Sequence, residues 1–120
     1  MNKTIMIKKR YEFKILYQKG KIYFGKNITM YIIKNKLNKN KLAIAVGKKS
    51  GKAVERNKIK RLIRENYKEI EPCVNCGYNI LFSVNKKCDL KNITYYDIKK
   101  DFEKIIKKSE LWAEEWKKQS

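Results

Sequence analysis

The chain has 120 residues, 42% of them hydrophobic, which suits one compact domain with a real core and excludes wholesale disorder. Lys and Arg number 31 against 12 Asp and Glu, a formal charge of +19. That excess asks for a polyanion, with nucleic acid ahead of an anionic membrane surface. No apolar run approaches a membrane span, no apolar stretch follows the basic Met1–Arg10 start as it would in a secretory signal, and the lack of His removes the usual general base.

Tyr11–Lys19 reads as a short helix, with Phe13, Leu16 and Tyr17 at i, i+3, i+4 and Gly20 placed to end it. Asn27–Ile33 alternates as a strand: Ile28, Met30 and Ile32 point one way, and Thr29, Tyr31 and Ile33 the other. The Asn-rich stretch Asn35–Asn40 reads as a hairpin connection to a second strand, Lys41–Gly47. Leu42, Ile44 and Val46 line one face of that strand, while the small Ala43, Ala45 and Gly47 leave room on the other. A central helix runs from Lys52 to about Ile70, stopped by Pro72, and Tyr78–Val84 follows as a strand with Ile80, Phe82 and Val84 buried.

Thr94 with Asp97 forms a capping box for a last helix. Ile98, Phe102, Ile105, Ile106, Ser109, Trp112 and Trp116 keep helical spacing, so that helix and its tail are expected over about 94–120. Asp97 and Asp101 read as capping and ion-pair partners among Lys99, Lys100 and Lys104. The whole chain, 1–120, is expected as one α+β domain: a two-layer sandwich with helices on one face of a small sheet.

The central helix sorts charge. Ile59, Leu62, Ile63 and Ile70 share one side, Asn57, Lys60, Arg61, Arg64 and Lys68 the opposite one, and Arg56 and Lys58 flank the apolar stripe. Lys48, Lys49 and Lys52 add charge just ahead of it. Arg suits phosphate through its planar fork, Lys as a point charge, and Asn57 offers both donor and acceptor to a base edge or sugar hydroxyl. An ordinary solvated face would balance its bases with acids; here Glu55 and Glu65 stand against the whole cluster.

Ala53–Glu65, with Arg56-Asn57 ahead of Lys60-Arg61, resembles the Arg-Asn-x-x-Lys-Arg signature of the bacterial ribonuclease P protein component, and Val46–Lys52, Phe13, Gly20 and Tyr31 fit the same family. The resemblance covers about Ile7 to Phe102. It implies a mixed sheet with a left-handed β-α-β crossover through the signature helix, a handedness that general rules disfavour. It implies a subunit that binds a large catalytic RNA and helps remove the 5′ leader from precursor tRNA, in the cytoplasm and away from membranes. Lys48, Lys49, Lys52, Arg56, Asn57, Lys60, Arg61 and Arg64, extended by Lys68 on the same helix face, are then the RNA contacts, and Phe13, Tyr17 and Tyr31 line a cleft for the single-stranded leader. Aromatic platforms hold unpaired bases for about 1–3 kcal/mol each. Phe13 suits core packing equally, whereas the hydroxyls of Tyr17 and Tyr31 suit a wet groove.

The chain departs from the family at Gly47, where a small hydroxyl residue is more usual, and at Asn85-Lys86, where an Arg is common. No nucleophile–base pair or paired-carboxylate site stands out, so no catalytic residue is expected in the protein. The resemblance places hydrolysis in the RNA subunit with Mg2+ bound mainly there. Cys73 and Cys76 have half a zinc knuckle's spacing, with Cys88 further on, but three Cys and no His fall short of the usual four ligands, and no metal site is expected. An odd cysteine count also favours a reducing cytoplasm. The alternative is a ribosomal-type structural RNA-binding protein without an enzymatic role. A membrane-surface protein fits less well, because sheet segments should cover the apolar helix face.

Overall fold

The computed structural model describes residues 3–113. The elements run β1 (Thr4–Met6), α1 (Arg10–Lys19), β2 (Lys21–Phe24), β3 (Ile28–Lys34), β4 (Asn40–Ala45), α2 (Ala53–Ile70), a 3-10 turn (Glu71–Cys73), β5 (Tyr78–Val84) and α3 (Tyr95–Ile106). All five strands join one sheet in the order β1-β4-β5-β3-β2. β4 runs parallel to both β1 and β5, while β3 runs antiparallel to β5 and β2. β1 and β2 have three and four residues, too short for alternation to show in the sequence.

The chain leaves β4, passes through α2 and returns as β5 at β4's side, so β5 separates β3 from β4. The Asn-rich segment is therefore not the expected hairpin connection, since the strands it joins are not neighbours. Its first residue closes the loop instead: the Asn35 side-chain oxygen accepts from Leu37 N–H, and its amide donates to the Lys39 carbonyl and to Asn79.

Alternation decides the two faces. The rows Met30–Phe82–Ile44 and Ile32–Ile80–Leu42 face α2 and α3, and with Ile59, Leu62, Ile63, Tyr67, Ile98, Phe102, Ile105 and Ile106 they form the main core. Phe82 stacks on Phe102 at 4.8 Å between centroids and 20° between planes. The opposite face carries Tyr31, Leu81 and Ala43 in one row, and α1 covers part of it with Leu16 and Phe13. Helices on one face thus describes α2 and α3; α1 lies on the other side, where β4's small residues admit it.

Close backbone approaches explain two glycines. Gly20 ends α1 in ordinary extended geometry, but any Cβ there would strike the Leu16 carbonyl oxygen. At Gly25, between β2 and β3, a Cβ would lie 2.6 Å from the Ile28 carbonyl oxygen and 3.2 Å from the Asp101 carboxyl.

That second contact corrects the reading of Asp101. Instead of pairing with lysines on the surface of α3, Asp101 is 4% exposed and accepts backbone N–H groups of Lys26 (3.3 Å), Asn27 (2.7 Å) and Ile28 (3.1 Å). Its position i+4 from Asp97 put it on a charged stretch in sequence, yet the helix turns it inward against the β2–β3 turn. Asp97 does cap α3: it accepts from the Thr94 N–H and hydroxyl, and its own N–H donates to Thr94.

α3 is also shorter than its spacing suggested. It ends at Ile106, where Ser109 Oγ donates to the Ile106 carbonyl and accepts from Leu111 N–H, local bonds that compete with the helix. Trp112 then pairs back on Val74 in an isolated bridge, and the expected helical position Trp116 lies outside the described residues.

Candidate nucleic-acid interface

α2 begins with extended Lys52, whose N–H donates to Glu55 Oε1 at 2.9 Å, half of a capping box, because a lysine side chain cannot accept the return bond. Ile59, Leu62 and Ile63 are buried and Ile70 is half-buried, as their spacing requires. Two further residues share that inward stripe. Asn66 is buried and donates to the Leu62 and Tyr95 carbonyls, tying α2 to the start of α3. Tyr67 is buried, its hydroxyl 2.9 Å from Thr4 Oγ1 and accepting from Asn40 Nδ2 at 3.4 Å, and burial raises its pKa above the ordinary phenol value.

The outward residues stand as the charge sorting predicts. Lys48, Lys49, Lys52, Asn57, Arg61 and Lys68 are exposed; Arg56, Lys60 and Arg64 are half-buried. Arg61 meets Glu65 at 3.6 Å with both side chains about half in water, a pair worth a few tenths of a kcal/mol that a phosphate can displace. Arg56 Nε is buried and has no hydrogen-bond partner among the described residues. Lys48, Lys49 and Lys52 sit at the N-terminus of α2, where the helix dipole adds positive potential, and the ridge continues along the helix to Lys68 in its last turn.

On the other sheet face a groove of about 700 Å3 runs between α1 and the basic loop. Tyr17, Ala45, Val46, Gly47, Lys49 and Ser50 form one part of its lining, and Ser83, Val84 and Lys86 the rest. Tyr17 is 44% exposed and meets Tyr31 edge to face, with centroids 5.0 Å apart and planes at 68°. Phe13 is half-buried beside Leu16, Ala43 and Leu81, in the seam between α1 and the sheet. Of the three expected cleft residues only Tyr17 lines the groove; Tyr31 reaches it through its contact with Tyr17, and Phe13 packs in the seam behind.

Ser50, Ser83 and Lys86 join this lining although the sequence named none of them as a contact; Lys86 stood there only as a departure from the family pattern. Ser83 could have been found by alternation, since it follows Leu81 on the same face of β5. Asn85, by contrast, is structural: it accepts from the Thr29 hydroxyl at 2.7 Å, and its amide donates to the Gly25 (2.9 Å) and Lys26 (3.1 Å) carbonyls.

The molecule is a small α+β protein with a cationic helix ridge and a groove edged by Tyr17. Residues 1–110 match the family described as Ribonuclease P. The ribonuclease P protein component of Clostridioides difficile is 35% identical over 92% of this chain and 96% of its own length, and that of Natranaerobius thermophilus 33% identical over 92% and 95%. A solved Staphylococcus aureus RNase P protein, a mutant described as defective in mRNA degradation activity, superposes with a TM-score of 0.78 at 32% identity, covering 89% of each chain. The chain belongs to the ribonuclease P protein family, the protein component of a ribonucleoprotein that processes tRNA.

Among the described residues, no helix is long and apolar enough to cross a membrane.

Proposed function

We propose that this chain binds the catalytic ribonuclease P RNA through Lys48, Lys49, Lys52 and the outer side of α2, and holds the single-stranded 5′ leader of precursor tRNA in the groove behind Tyr17 and Tyr31. On this reading Arg56, Asn57, Lys60, Arg61, Arg64 and Lys68 meet RNA phosphates, sugars and base edges, and Phe13 backs the cleft. The observation that carries it is the continuity of one groove from exposed Tyr17 to Lys49 and Lys86. A single strand needs both: π-faces for its bases and cations for its backbone.

The protein's part is charge, alignment and a channel, so the leader reaches the scissile bond with its orientation already set. Hydrolysis of the phosphodiester falls to the RNA subunit. On this reading Mg2+ is bound mainly by RNA phosphates, and the lysines lower the concentration of it that the RNA needs.

The test is reconstitution. The protein is mixed with a bacterial ribonuclease P RNA at low Mg2+, and cleavage of precursor tRNA is followed. Restored cleavage is the expected result. No rescue, together with tight binding to ribosomal RNA, would instead identify a structural RNA-binding protein.

A further inference from the structure

Phe24 is the most exposed aromatic on the sheet, with 71% of its surface in water, and the groove does not include it. Register shows where it points. On β2, Ile22 lies opposite Tyr31, and Phe24 lies opposite Thr29. Directly opposed residues of an antiparallel pair share a face, so Ile22 and Phe24 stand on the same open face as Tyr31. Tyr23, between them, packs into the main core on the other side. Ile22 is 42% exposed. An apolar surface thus runs from Tyr17 and Tyr31 across Ile22 to Phe24, with about 7 Å from Ile22 to Phe24 along the strand.

The backbone that carries Phe24 is held from several directions. Gly25 N–H donates to the Ile28 carbonyl, Asp101 takes the next three N–H groups, and Asn85 donates to the Gly25 and Lys26 carbonyls. This costs a buried carboxylate, a bridging amide and a glycine that tolerates no side chain. A presented ring on a fixed backbone gives up little freedom on meeting a flat ligand. Exposed Lys26 follows Phe24 by two positions, and Lys86 follows Asn85 at the turn.

We infer that Phe24, with Ile22 beneath it, is a second stacking platform for unpaired leader bases that have passed the Tyr17–Tyr31 groove. The inference rests on the leader-binding reading and extends it toward the β2 edge. The occupant is single-stranded RNA because the surface combines an open π-face with flanking lysines on a chain of charge +19. Pairing of a second copy on the β2 edge is the competing occupant.

The experiment uses the protein assembled with a bacterial ribonuclease P RNA and precursors of increasing leader length, with 2-aminopurine at successive leader positions. Phe24→Ala should weaken binding of long-leader precursors on the order of tenfold, the scale of one lost base–aromatic stack. It should also relieve 2-aminopurine quenching at distal positions, while precursors whose leader ends within the groove bind as before. Phe24→Trp should restore the long-leader affinity; Phe24→Leu, apolar but without a π-face, should not. Tyr31→Ala should weaken short and long leaders alike.

Equal affinities for Phe24→Ala and the parent at every leader length overturn the inference. So does rescue by Leu, or a change confined to self-association in light scattering. If Tyr31→Ala in that case still weakens leader-bearing precursor while mature tRNA binds as before, only the extension fails. If Tyr31→Ala instead costs precursor and mature tRNA equally, or costs neither, the groove reading falls with it.

Discussion

Asp101 shows how one side chain can hold a working surface it never touches. Its carboxylate accepts three backbone N–H groups of the β2–β3 turn from a buried position on α3. Asp101→Asn keeps the shape but replaces a charged double acceptor with an amide whose NH2 faces backbone donors. We expect a loss of about 1.5–3 kcal/mol, the scale of a hydrogen bond to a charged group, read as a lower denaturant midpoint with little change in slope. Cys88 supplies a pH signature. Burial first, then nearby Asp101, pushes its thiol from 9.0 up to about 11. The fold favours the neutral thiol, so its contribution is complete below pH 9 and disappears as pH climbs to about 11. Cys88→Ala should therefore flatten the fall in stability across that window, measured by urea unfolding at stepped pH. At pH 8, alkylation should label exposed Cys76 before Cys88.

α2 carries both the main core and the cationic ridge, and it does so because helical geometry separates residues three or four apart from those two apart. Ile59, Leu62, Ile63 and Tyr67 seal one side. Opposite them Arg61 keeps only a loose pair with Glu65, and Arg64 is half-buried. Arg61→Ala or Arg64→Ala should each weaken catalytic-RNA binding and reduce the steepness of log affinity against log salt by about one unit. Filter binding over a salt series reads both numbers; lower affinity with an unaltered slope would remove that arginine from the phosphates. Thermal melts of these variants should stay within about 0.5 kcal/mol of the parent, since neither side chain holds the core.

For the molecule as a whole, the sheet divides the work. One face is closed by α2 and α3 and supplies stability; the other is only partly covered by α1 and keeps a groove. The ridge and the groove meet where the chain passes from β4 through Lys48–Lys52 into α2, so on the proposed function catalytic RNA and leader would be near neighbours. Tyr31→Ala should weaken the assembled enzyme's binding of leader-bearing precursor by about 1–3 kcal/mol while mature tRNA binds as before. Equal losses on both RNAs would take Tyr31 out of the cleft.

Much of this was readable along the chain. The strands Ile28–Lys34 and Tyr78–Val84, the two-sided helix Ala53–Ile70 and the Thr94–Asp97 cap all announce themselves, because period, end residues and charge sorting are local properties. What stayed hidden depends on distant partners. The strand order that sets β5 between β3 and β4, the inward turn of Asp101 against a loop some seventy residues earlier and the burial of Asn66 and Tyr67 are examples. So is the alignment of Ile22 and Phe24 with Tyr31, since a four-residue edge strand has no period of its own and gains a direction only when β3 pairs with it. Local pattern chooses an element and its faces; which surfaces then meet follows from burying all the faces at once, a condition no single segment contains.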